Sequence, residues 1–173
     1  MVVIDPARLP LRPLLDSGVF LRWLGERPGD PQTPLCRELV QTLIDEGRDI
    51  LVAAPTISEV LRGWTGDEPP STAEMRVVAF DNRAAHMLAA RLPLAVALEH
   101  RRASGEVGAV IKYDAMIIAC AIRWEASCVI SLDAGFRTLA GRAMLAAHHP
   151  SEFEQAQQEL FDEDDLADAT AGR

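Results

Sequence analysis

Ile50-Leu51-Val52-Ala53-Ala54-Pro55-Thr56-Ile57-Ser58-Glu59 changes character in its middle. The apolar run at 50–54 reads as a buried strand, and Pro55-Thr56 then leads into a helix from about residue 57 to residue 64. A strand with no polar face suits a parallel sheet covered on both sides. The same pattern recurs at both ends of the chain. Pro13-Leu14-Leu15 closes on Asp16, with a helical pattern behind it, and Cys128-Val129-Ile130-Ser131-Leu132 closes on Asp133, with a turn or helix over 135–140 behind it. Strands alternating with helices predict an α/β fold with a parallel sheet. In such a sheet the strand ends that lead into helices share one edge, and ligands bind there. Asp16, Glu59 and Asp133 are therefore placed to converge.

The rest of the chain fills in around these units. Residues 1–12 form a short leader and 25–34 a loop rich in Gly, Pro and Asp. An amphipathic helix is predicted over 35–46, ending at Gly47, then a loop at 65–72 and a short strand at 77–80. An alanine-rich helix over 82–92 continues in some form to about Ala103. The most apolar helix is predicted over 114–125, with Asp114 at its opening. Pro150-Ser151-Glu152 reads as a helix start capped by Ser151. Beyond it lies the charge run Asp162-Glu163-Asp164-Asp165, which cannot bury apolar surface and is expected to stay solvated. The expected organisation is a leader at 1–12, one domain over 13–160 and an acidic tail over 161–173.

Composition bounds the function. The 173 residues suit one domain with a real core. The 26 acidic residues against 17 Lys and Arg give a net charge of −9, which argues against a simple electrostatic nucleic-acid binder but not against an enzyme acting on nucleic acid. Cys36, Cys120 and Cys128 form no C-x-x-C pair and read as reduced core thiols of a cytoplasmic protein. No apolar stretch reaches membrane-spanning length.

Four segments taken in order resemble the motifs of PIN-domain nucleases. Leu14-Leu15-Asp16-Ser17-Gly18-Val19-Phe20 resembles the opening motif, and Thr56-Ile57-Ser58-Glu59-Val60-Leu61 the second. Tyr113-Asp114-Ala115-Met116-Ile117-Ile118-Ala119 resembles the third, and Ser131-Leu132-Asp133-Ala134-Gly135-Phe136 the fourth. Pro150-Ser151-Glu152-Phe153 is similar to the segment that often closes the domain. Two departures stand out. Ser131 replaces the usual threonine, and Gly135 stands where a second acid is often found. Val2-Val3-Ile4-Asp5 mimics the opening motif but is followed by Pro6. The resemblance implies a three-layer α/β/α fold with a central parallel sheet of four or five strands. It implies hydrolysis of RNA by a toxin of a VapBC-like toxin–antitoxin pair or by a stand-alone bacterial relative. RNA is then the substrate, with a small antitoxin and a homodimer as expected protein partners.

Clustered carboxylates repel one another and bind Mg²⁺ or Mn²⁺ through oxygen. Such an ion acidifies a bound water and neutralises charge on a phosphodiester. Asp16, Asp114 and Asp133 are the expected metal ligands and Glu59 a further ligand or the group that orients the water, with Ser17 and Ser131 in support. Lys112, the chain's one lysine, and Arg62 are candidates for contact with substrate phosphate, although an arginine-biased composition accounts equally for the single lysine and a surface role is the plainer reading of Arg62. The plainer reading makes each acid a helix cap or a solvated charge; Asp81 is better read as a cap. Two other functions remain open. One is a non-catalytic PIN-like module binding protein or RNA. The other is a metal phosphohydrolase of small phosphate esters, although Asp16-Ser17-Gly18 lacks the second Asp of an Asp-x-Asp motif.

Overall fold

The computed structural model describes residues 2–25, 27, 29–64, 72–105 and 108–155. Five short strands form one parallel sheet: β1 Pro13–Leu15, β2 Leu51–Ala53, β3 Arg76–Val78, β4 Cys128–Ile130 and β5 Ala147–His148, in the order β3-β2-β1-β4-β5. The register pairs Leu15 with Val52 on one side and with Ile130 on the other. The chain lays β2 and β3 to one side of β1, then crosses over to add β4 and β5 on the opposite side. The gap between the C-terminal ends of β1 and β4 is the switch point of the sheet, where crevices form in open α/β folds.

Seven helices are described: α1 Ser17–Leu24, α2 Thr33–Asp45, α3 Ala54–Gly63, α4 Asn82–Arg91, α5 Leu94–Ser104, α6 Gly108–Arg123 and α7 Ala134–Arg142. Successive strand residues point to opposite faces, so each strand feeds two cores. Leu15, Val52 and Ile130 join Phe20, Leu39 and Leu43 of α1 and α2. Leu14, Leu51 and Val129 join Ile117, Ile118 and Leu139 of α6 and α7. This is the three-layer α/β/α arrangement, and it explains why the strands read as unbroken apolar runs.

Several boundaries differ from the sequence expectation. The helix expected to open at Asp114 begins at Gly108 and puts Asp114 in its second turn. No proline or polar cap interrupts the six residues before Asp114, so the helix simply extends upstream. The alanine-rich stretch is two helices, α4 and α5, broken at Leu92 and Pro93. Leu92, at φ −129° and ψ 66°, has left the helical region, as a residue before proline prefers. β3 lies at 76–78 rather than 77–80. β5 is the fifth strand that the resemblance allowed, at a position the sequence patterns do not mark. The Pro150–Phe153 segment is a 3₁₀ turn capped by the His149 ring rather than by Ser151, with Glu152 closing the capping box. The expected 65–72 loop, apart from Thr72, and the acidic tail lie outside the described residues. None of the described helices is long and apolar enough to cross a membrane. Cys36, Cys120 and Cys128 are buried free thiols, pushed by desolvation to about 11, about 12 and about 11 respectively.

The leader is not a loose appendage. Ile4 and Leu9 are buried in the α1–α2 core, and Ile4 bridges Glu154 antiparallel. Asp5, the decoy acid, caps the 3₁₀ turn Pro6–Arg8. Ile4→Ala should therefore cost roughly 2 kcal/mol or more. The check is urea denaturation, where a midpoint unchanged from wild type would show the leader contributing nothing to the core.

Candidate active site

The site is assembled at the switch point. The Asp16 amide donates to the Ile130 carbonyl at 3.1 Å, extending the β1–β4 pairing to the first residue past the strand. The backbone stays extended there, and the side chain turns back to cap α1. Oδ1 accepts from the Ser17 amide at 2.8 Å and the Ser17 hydroxyl at 3.3 Å; Oδ2 accepts from the Ser131 hydroxyl at 2.8 Å. The residue is only 6% exposed. Every one of these donors is neutral. Desolvation accordingly raises the Asp16 pKa, the serine hydrogen bonds pull it partly back, and the nearby negative charge of Glu59 pushes it up again.

Ser131 is the hinge of the arrangement. Its hydroxyl donates to Asp16 and accepts from the Asp133 amide at 3.0 Å, so one buried side chain ties the end of β1 to the start of α7. Asp133 itself is exposed and caps α7, its Oδ1 accepting from the Gly135 amide at 2.6 Å and the Phe136 amide at 3.2 Å. The position where a second acid is often found thus supplies a backbone donor to the first.

Glu59 is exposed on α3, and its charge acts on Asp16. Asp114 is half-buried on α6. A dipole acts mainly within the first turn, so the helix N-terminus that Asp114 was expected to occupy does not offset its charge. Ser17 bonds the Asp16 carboxylate, the supporting position expected of it. Lys112 lines an apolar cavity of ≈ 570 Å³ beside α4 and α5, with Phe80, Leu88 and Met116. Two residues along a helix is a rotation of about 200°, so Lys112 faces away from the side that carries Asp114. Arg62 is exposed near the end of α3. Asp81 caps α4 through the Ala84 amide at 2.8 Å and pairs with Arg123 at 3.2 Å.

The structure thus joins Asp16, Ser17, Ser131 and Asp133 by hydrogen bonds and brings the charge of Glu59 to bear on Asp16. It does not bring Lys112 into that group. Among the described residues, no three His, Cys, Asp or Glu side chains form a group able to hold a metal ion. The donor chemistry nevertheless suits a hard cation: carboxylate oxygens, one of them desolvated without a compensating positive charge. Thr56, fully buried three residues before Glu59, also leaves Oγ1 with no hydrogen-bond partner. Sequence reasoning passed over Thr56 and Arg137. The available signals were the helical spacing of Thr56 to Glu59 and of Arg137 to Asp133.

The sequence matches the PIN domain over residues 14–142. The chain belongs to the PIN domain family. No curated protein gives a significant match. Among solved structures, VapBC2 from Rickettsia felis bound to a DNA fragment from its promoter is similar at 11% identity and a TM-score of 0.55, over 80% of this chain and 98% of that one. At that identity the likeness establishes the fold.

A helix cap alone does not account for Asp16. Exposed caps such as Asp133 satisfy the same backbone donors without losing hydration, whereas Asp16 is buried at a net electrostatic cost. Asn caps as well as Asp and can hydrogen-bond Ser131. Asp16→Asn should therefore raise the stability of the protein in EDTA by about 1 kcal/mol at neutral pH. The sign follows from linkage. A folded pKa above the unfolded one means the native state loses stability as pH rises from the unfolded value through the folded one, and the full deficit persists above it. The advantage of Asn should shrink on acidification. Melting temperatures across pH provide the check, and a variant less stable than wild type at neutral pH would make Asp16 a net structural asset.

Proposed function

We propose that this chain is a metal-dependent endoribonuclease that hydrolyses RNA phosphodiester bonds in the cytoplasm, acting as the toxin of a VapBC-like pair with a small antitoxin as partner. Family membership supports the nuclease class. The observation that carries the reading is Asp16, a carboxylate buried at the switch point, bonded by neutral donors and with the charge of Glu59 acting on it. The similarity to a VapBC complex supports the antitoxin partner. The buried free thiols support a reducing compartment.

In this reading Asp16, Glu59, Asp114 and Asp133 hold Mg²⁺ or Mn²⁺, directly or through water. When bound, the ion would acidify a water and offset charge on the phosphodiester. The chain's own residues do the rest. Ser17 and Ser131 fix the Asp16 carboxylate from both of its oxygens. Glu59, exposed and on a separate helix, is a ligand or the group that orients the attacking water. Asp133 keeps Oδ2 outside its two capping bonds.

A second reading, a non-catalytic PIN-like module, is favoured by one observation: the described acids do not draw together into a group of three that could hold a metal. Cleavage of a labelled RNA separates the two. The wild-type chain should cut with Mn²⁺ or Mg²⁺ and not in EDTA. Asp16→Asn should lose about a hundredfold or more in rate, and Asp133→Asn about tenfold. Cutting that continues in EDTA would sink the metal mechanism, and RNA left intact by folded wild-type protein with either ion would favour the binding module.

A further inference from the structure

A crevice lined with carboxylates must receive a polyanion, and a bound ion offsets charge at one point only. A strand of RNA also needs fixed positive charge beside the site. Two arginines stand there. A Cβ on Gly18 would lie 3.7 Å from Arg22 Nη1 and 3.8 Å from Asp16 Oδ2, so the Arg22 guanidinium stands across Gly18 from the carboxylate. That guanidinium is spent, however. Nη1 donates to the Gly18 carbonyl at 2.8 Å and Nη2 pairs with Asp30 at 2.6 Å.

Arg137 differs. It lies on α7 four residues beyond Asp133, one turn along the helix that Asp133 caps. Its Nη1 donates to the Ser131 carbonyl at 2.9 Å. Ser131 is the residue whose hydroxyl connects Asp16 to Asp133. The side chain is half-buried and forms no ion pair among the described residues. Its charge reaches past the site as well: His149 is lowered first by desolvation and next by Arg137. An arginine pinned by one N–H to a carbonyl is pre-oriented, with the rest of its fork left to meet a phosphate.

We propose that Arg137 binds a phosphate of the RNA strand and sets that strand's position against Asp16 and Asp133. This rests on the ribonuclease reading and adds to it the residue that grips the substrate, in place of Lys112. The experiment measures binding of labelled single-stranded RNA to full-length protein at a series of salt concentrations, in an Asp16→Asn background so that cleavage does not intervene. Arg137→Gln should weaken binding about tenfold. It should also flatten the log–log salt slope by about 0.7, the loss of one phosphate contact on a single strand. The loss should be the same across RNA sequences, since a phosphate contact reads none. Arg137→Lys should keep the slope and part of the affinity, because it keeps the charge.

An unchanged slope in Arg137→Gln overturns the proposal. So does an equal loss of affinity in the Lys and Gln variants without a change of slope, which would mark Arg137 as a support for Ser131 only. RNA binding undetectable even with Arg137 intact overturns it too. The nuclease reading is judged separately, by cleavage with the otherwise wild-type chain. An uncut RNA whose binding still follows the predicted slope would leave the phosphate contact standing and remove the enzyme.

Discussion

A carboxylate removed from water and given only neutral donors is expensive, and this fold keeps one at its centre. Asp16 is reached by the Ser131 hydroxyl across 115 residues of sequence. That bond is possible only because β1 pairs directly with β4, which in turn requires the chain to wind outward through β2 and β3 and then cross back. The apolar residues of β1 and β4 supply the burial that makes the pairing firm. The same burial desolvates the acid at the strand end. Stability of the sheet and instability of its acid are therefore one construction. Sites that work by charge are commonly assembled in this way, with local cost carried by the surrounding core.

The two acids that cap helices show how one motif serves two ends. Asp133 remains in solvent, gives one oxygen to two amides of α7 and keeps its hydration elsewhere. Asp16 uses both oxygens, against Ser17 and Ser131, and is fixed in place. In the proposed metal site the rigid, buried Asp16 would give one fixed anchor and the hydrated Asp133 one adaptable ligand. Such a pairing suits a cation that keeps several of its waters. In the fourth motif Gly135 contributes its backbone amide to Asp133, a donor that any residue but proline would supply.

Much of this was legible in the sequence because of one simplification. Strands buried on both faces show as continuous apolar runs, so β1, β2 and β4, and the acids just past them, could be located without knowing any contact. The parallel α/β class followed from the same runs, whereas the three-layer architecture and the family came from the resemblance of four motifs taken in order. What failed to show has equally physical causes. β5 is two residues long and half-buried, held to β4 by backbone hydrogen bonds that any sequence can make. The start of α6 carries no cap signal, so Asp114 looked like an opening residue when it lies a turn further in. His149 caps the last turn with a ring nitrogen, a role that the serine two positions on imitates in a string of letters. Arg137 was hidden because its link to the site runs through a carbonyl, which leaves no trace in side-chain patterns.

The acidic balance of the chain is less of an obstacle to RNA than the total suggests. Glu159, Asp162, Glu163, Asp164, Asp165 and Asp168, set against Arg173, carry five of the nine net negative charges. All seven residues lie beyond the last matched motif. Over the matched region the arrangement matters more than the sum. At the switch point Asp16 is bonded by neutral hydroxyl and amide donors, while the arginines nearby divide into Arg22, neutralised by Asp30, and Arg137, which forms no ion pair among the described residues. A phosphodiester approaching that edge meets repulsion from the carboxylates and attraction from Arg137 and from any cation the carboxylates have collected. Between charges a few ångströms apart in a partly dry crevice, the local terms are far larger than the field of charges screened beyond about 10 Å. Recognition of a polyanion by an acidic protein then needs no basic surface, only a few positive groups held where the packed core has already excluded water.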